Sequence, residues 1–131
     1  MLLRTCDAVG ASLAVPETAH YRDALARGDT LIERGCVHWV GPTKAQWIDE
    51  QRDRGSRILA VGLADGATPL ARLPLARRRT VVLLGHERLG VPEEIWESID
   101  EVVEIPMVGR GASLNVAVAG SLVLYRLAGL A

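Results

Sequence analysis

Apolar residues fall along this chain in two rhythms. Thr80 to Leu84 is an unbroken run of β-branched residues and leucines, Val102 to Ile105 repeats the design, and Arg57 to Val61 is a further strand-like run. Runs of this kind predict strands covered on both faces of a sheet. Cys36-Val37-His38-Trp39-Val40 alternates and stops at Gly41-Pro42, while Leu13 to Val15 is a brief apolar run ended by Pro16. Both predict further strands closed by turns. Elsewhere the period lengthens: Lys44 to Arg54 is helical in spacing with Gly55 as its stop, and Tyr21 to Arg27 predicts a helical turn or two ended by Gly28. Leu114 to Leu127 is apolar nearly all round, and Ala117, Ala119 and Gly120 leave room for a second backbone to approach, so a buried helix is expected. Strands alternating with helical segments of about ten residues argue for parallel βαβ units. The expected class is α/β, a mostly parallel sheet with helices on both faces.

Size and charge narrow this picture. At 131 residues the chain is one domain's worth, and no internal repeat or low-complexity linker divides it. No run of eighteen residues lacks a charge or polar break, and Met1-Leu2-Leu3 leads at once into Arg4 and Asp7, so neither a membrane span nor a signal peptide is expected. Cys6 and Cys36 have no metal-ligand spacing and fit buried reduced thiols of a cytoplasmic protein. His20, His38 and His86 share no metal-like spacing, and no metal is expected. The formal net charge is −1. A protein of this balance that binds nucleic acid must concentrate its positive charge locally.

The chemistry gathers in the last third. Leu83-Leu84-Gly85-His86-Glu87-Arg88-Leu89-Gly90 and Ile105-Pro106-Met107-Val108-Gly109-Arg110-Gly111-Ala112-Ser113-Leu114-Asn115 are two strand ends that each run straight into a polar, glycine-bearing loop. In open parallel sheets ligands bind at the carboxyl ends of strands, so these ends, with the loop after Val61, mark a crevice. Leu63, Ile105, Met107 and Leu114 are the apolar residues that these loops would offer a ligand. Ser113 lies where a hydroxyl would cap a helix beginning near Leu114.

These stretches resemble the signatures of the SpoU/TrmH-type RNA 2'-O-ribose methyltransferases of the SPOUT superfamily. The glycine, glutamate, glycine loop at Gly85, Glu87 and Gly90 is similar to the second family motif, and Ile105-Pro106-Met107 with Ser113-Leu114-Asn115 to the third. Leu3-Arg4-Thr5-Cys6-Asp7-Ala8-Val9-Gly10 resembles the first, in which an arginine opens a helix ending at glycine. The resemblance implies a single SPOUT domain over 1–131 with a C-terminal deep trefoil knot, S-adenosylmethionine as cofactor, tRNA or rRNA as substrate, and a homodimer paired through the final helix. It further implies Arg4, Glu87 and Asn115 as catalytic residues, and Leu63, Gly85, Glu87, Ile105, Met107, Ser113 and Leu114 around the cofactor. A guanidinium is a poor base, so Arg4 is better suited to clamping a phosphate and stabilising the ribose alkoxide. Glu87 would orient Arg4 or its own loop, and Asn115 would tie loop to helix.

In the family a strand precedes the first motif, with an asparagine six positions before the arginine. Here the arginine is residue 4, so the expectation is a sheet lacking one inner strand, a longer natural product, and weak methylation by the 131-residue form. Two other readings stay open: a SPOUT module that holds cofactor or RNA without turnover, and a nucleotide-binding doubly wound domain. The absence of any G-x-G-x-x-G or G-K-[ST] loop speaks against the latter. Arg77-Arg78-Arg79 is either a solvated lead into a buried strand or a phosphate-contacting patch. Trp39, Trp47 and Trp96 are too dispersed for a base-stacking platform and are expected in packing.

Overall fold

The computed structural model describes residues 2–16, 37–40, 44–62, 64, 66–84, 93–109 and 115–131. The order of elements is α1 (Leu2–Val9), β1 (Leu13–Pro16), β2 (Val37–Val40), α2 (Lys44–Asp53), β3 (Arg57–Val61), β4 (Thr68–Pro69), β5 (Thr80–Leu84), β6 (Glu101–Glu104) and α3 (Val116–Leu127). Short 3-10 turns at Leu70–Arg72 and Glu93–Ser98 join β4 to β5 and lead into β6.

β4, β6, β3 and β5 lie side by side in that order, and every pairing is parallel. Alternation along the central strands assigns the two faces. Ile58, Val81 and Leu83 turn towards α2 and the 93–98 turn, where they pack with Ile48, Ile95, Trp47 and Ile99. Leu59, Val61 and Val82 turn the other way, into a cluster with Leu73, Val103, Val123 and Leu127. The runs at 58–61 and 81–84 are apolar because helical segments cover each side, as the pattern predicts. All five residues of β5 are only half-buried. β5 ends the four-stranded order, and among the described residues no strand pairs with its outer edge.

β1 and β2 form a separate parallel pair, Leu13 opposite Val37 through Pro16 opposite Val40. A parallel connection needs a crossover of a dozen or more residues. The expected helix at Tyr21–Arg27 falls in that connection and lies outside the described residues.

α1 ends as its sequence predicts. Gly10 takes a left-handed φ of 73°, which a side chain would resist, and Ala11 N donates to Cys6 O at 2.8 Å to close the helix. α2 stops at Gly55, and Ser56 N returns to Gln51 O at 3.0 Å.

α3 begins later than the apolar run suggests. Its first residue is Val116, and Asn115 rather than Ser113 is its cap: Asn115 Oδ1 accepts from Ala117 N at 2.9 Å and Val118 N at 3.4 Å. Asparagine caps as well as serine does, and a cap must stand just before the first helical residue to reach the second and third amides. β6 likewise starts at Glu101, one residue early, and Ile105 leaves the ladder. The segments 85–92 and 110–114, through which the expected trefoil knot would be threaded, lie outside the described residues. Among those residues no helix is long and apolar enough to cross a membrane.

Candidate functional site at the carboxyl ends of three strands

Register sets the floor of the site. Val61 stands opposite Leu84 on one side and Val103 on the other, so β3, β5 and β6 end almost level. Gly62 N then donates to Val103 O at 3.0 Å, which holds the loop after β3 against β6. Beyond it Ala67 N closes a turn on Ala64 O at 3.1 Å. Two loops are thereby drawn to one end of the sheet. The third, after Leu84, lies outside the described residues.

The loop after β6 carries the apolar surface. Ile105 is half-buried against the cluster under α3, while Pro106 and Met107 are exposed, Met107 at 41%. The side chains of Ile105 and Met107 thus form a ledge whose root is fixed in the core and whose tip is open. An anchored apolar edge beside backbone from neighbouring loops suits a flat heterocycle. Asn115 sits at the far end of the same loop, its amide oxygen engaged in the cap and its residue exposed.

Arg4 reaches this end of the sheet by way of α1. Leu2 and Leu84 both press on Gly120: a Cβ built there would lie 3.1 Å from Leu2 Cδ1 and 2.7 Å from Leu84 Cδ1. Glycine at 120 lets α3, the start of α1 and the end of β5 converge. The Thr5 hydroxyl lies 2.8 Å from that of Ser121, which itself donates to Ala117 O at 2.7 Å. This pair fixes the rotation of α1 on α3. With Thr5 and the buried Cys6 turned inward, Arg4 stands on the outer face of α1 and is exposed.

Of the residues expected at the site, Arg4, Ile105, Met107 and Asn115 are described and belong to elements that meet at this end of the molecule. Leu63, Gly85, Glu87, Ser113 and Leu114 lie outside the described residues. The Thr5–Ser121 contact escaped the sequence reading. Its signal is a small hydroxyl on the inward side of each of two apolar helices, which asks for a partner when buried. Among the described residues no group of three or more His, Cys, Asp or Glu side chains could hold a metal ion.

Known proteins resemble the chain as a whole. The tRNA (guanosine(18)-2'-O)-methyltransferase of Aquifex aeolicus is 34% identical over 128 residues, covering 95% of this chain and 59% of that protein. The tRNA (cytidine(34)-2'-O)-methyltransferase of Ancylobacter novellus is 35% identical, over 94% of this chain and 78% of its own length. Among solved structures, the SpoU methyltransferase AviRb from Streptomyces viridochromogenes, in complex with the cofactor AdoMet, superposes with a TM-score of 0.75 at 26% identity, covering 98% of this chain and 51% of that one. The chain spans about six-tenths of the length of the Aquifex relative. Residues 1–125 match the SpoU rRNA Methylase family, and with the parallel sheet and its level strand ends this makes the chain a member of that family.

Proposed function

We propose that this chain is the catalytic domain of an S-adenosylmethionine-dependent RNA methyltransferase that modifies a ribose 2'-hydroxyl of tRNA or rRNA in the cytoplasm. The observation that carries the reading is the convergence of level parallel strand ends, the Ile105–Met107 ledge and the Asn115-capped helix in a chain of this family.

The cofactor would lie across the loops 62–66, 85–90 and 105–115, held by Leu63, Gly85, Ile105, Met107, Ser113 and Leu114. Its bound form supplies a methyl group on a positively charged sulfur, reactive enough that positioning carries most of the rate. An apolar ledge with a fixed root fits the adenine faces, and strand-end backbone fits its polar edge. Arg4, on the outer face of α1, would clamp an RNA phosphate and stabilise the developing alkoxide, with Glu87 orienting it. Threading of α3 through the 85–92 loop, as a trefoil knot, would bring Ser113 to Asn115 over that pocket.

The same reading includes a two-fold dimer. Val118 and Leu122, one turn apart on α3, remain exposed on a helix that is otherwise apolar and packed, and exposed apolar positions in register mark a partner surface.

Calorimetry and methyl transfer test the function. S-adenosylmethionine is expected to bind, and the protein to transfer labelled methyl to bulk tRNA or rRNA. Arg4→Ala should lower transfer at least a hundredfold without weakening cofactor binding. Binding of a nucleoside triphosphate in place of S-adenosylmethionine would overturn the reading. Cofactor binding without transfer to any RNA would leave a binding module.

A further inference from the structure

At the opposite end of the sheet the chain keeps a concentration of charge that the cofactor pocket does not use. Between Asp65 and Glu87 there are four arginines, Arg72, Arg77, Arg78 and Arg79, and no carboxylate, in a protein whose formal net charge is −1. All four are exposed.

Their backbone is tightly held. Leu73 is fully buried in the core under α3. Ala76 N donates to Leu127 O at 2.8 Å, and the Arg126 guanidinium donates from Nε to Leu73 O and from NH2 to Ala71 O at 2.8 and 2.6 Å. Further on, the Thr80 hydroxyl donates to Arg78 O at 2.9 Å and Arg57 N to Arg79 O at 3.0 Å. The arginine run is thus strung between the last turn of α3 and the first residue of β3, its side chains outward.

Neighbouring arginines are spent on structure. Arg57 pairs with Glu101, and Arg52 lies 3.5 Å from Asp100. Among the described residues no such pair takes up the charge of Arg72, Arg77, Arg78 or Arg79. Adjacent like charges on a rigid backbone repel one another, and a polyanion relieves that cost by exchanging counterions for guanidinium groups. Arginine also grips phosphate oxygens with two parallel N–H bonds.

We propose that Arg77–Arg79 form a second RNA contact, which binds the phosphodiester backbone at the amino end of the sheet. It rests on the reading of the chain as an RNA methyltransferase. β5 carries the chain from this patch to the pocket end, and five residues at ~3.3 Å each make that ~16 Å. A strand of nucleic acid covers this span in about five base steps at ~3.4 Å each. The patch therefore grips RNA several nucleotides from the reacting ribose and sets its direction across the domain, without reading sequence.

The test is filter binding of bulk tRNA across a potassium chloride series, with S-adenosylmethionine binding measured in parallel. The triple variant R77A/R78A/R79A is expected to bind tRNA at least tenfold more weakly at low salt. Its plot of log affinity against log salt should lose about 2 to 3 units of slope, near 0.7 to 0.9 per phosphate contact. Cofactor binding should not change, because the patch lies at the other end of the strands. The single variant Arg78→Glu, whose backbone carbonyl still meets Thr80, should move affinity and slope the same way and serves if the triple variant folds poorly. Wild-type affinity and slope in the variants would overturn the proposal while leaving the methyltransferase reading intact. Failure of the unaltered chain to bind any RNA would overturn both.

Discussion

Gly120 on α3 lies against the tip of Leu84 at the end of β5, where an added Cβ would stand 2.7 Å from Leu84 Cδ1. Carbon atoms do not pack that closely, so any side chain at 120 must move Leu84, Leu2 or the helix itself. For Gly120→Ala the obstacles are the free ends of two leucines, which can rotate, and alanine gains about 1 kcal/mol in helix propensity. Stability should therefore stay within about 1 kcal/mol of the parent. Gly120→Val exceeds what those rotations can absorb and should cost about 1–3 kcal/mol by overpacking. Urea unfolding of the two variants checks the contrast, and equal midpoints would contradict it.

Asn115→Ala should destabilise the protein by about 0.5–2 kcal/mol, since it frees the amides of Ala117 and Val118 that the side chain satisfies. Asn115→Asp keeps the accepting oxygen and should hold parental stability. Thermal unfolding distinguishes them. A drop in the aspartate variant as large as in the alanine variant would mean that the cap is not what Asn115 contributes.

Arg126 ties the end of α3 to the loop after β4 through the carbonyls of Ala71 and Leu73. Arg126→Ala should lose about 1–3 kcal/mol and speed proteolysis between residues 70 and 79. Arg126→Lys should recover only part of this, because a single ammonium lacks the planar fork that meets both carbonyls. Full recovery by lysine would show that charge alone matters.

Leu122→Glu places a charge on the exposed apolar side of α3, which the proposed dimer would bury. Sedimentation should show a dimer for the parent chain at micromolar concentration and a monomer for the variant, with unchanged far-ultraviolet circular dichroism. A parent that sediments as a monomer would remove the dimer from the proposed function.

The strands at Arg57–Val61 and Thr80–Leu84 match the sequence reading residue for residue because each is apolar after its first residue and stops at a glycine. β4 escaped it. Thr68–Pro69 is two residues long, with no period to read, and is a strand only because Glu104 and Val103 lie beside it. The 3-10 turn at Glu93–Ser98 escaped for a similar reason: its six residues are too few to show a period, and it is anchored by Ile95, which is buried against Ile48 and Ile58. At the site, Ile105, Met107 and Arg4 were legible as motif residues, whereas the helix start was misplaced by two residues because Ser113 and Asn115 are equally good caps. The contacts that orient Arg4, Thr5 with Ser121 and Leu2 with Gly120, join residues more than a hundred positions apart, and a local pattern can mark each partner without pairing them.

The strand order also constrains how the chain is assembled during synthesis. β6, which leaves the ribosome after β3, β4 and β5, occupies an interior place between β4 and β3, and among the described residues it is β4's only neighbour in the sheet. Until it emerges, β4 has nothing to pair with. The apolar face carrying Leu59 and Leu73 then waits for Val123 and Leu127, which come later still. Nascent chains therefore pass through a stage in which β3 and β5 present apolar surface uncovered, until α3 buries it. A stall or truncation within α3 should yield an aggregating product rather than a smaller folded one, which makes the emergence of α3 the step at which this part of the newborn chain becomes safe from its neighbours.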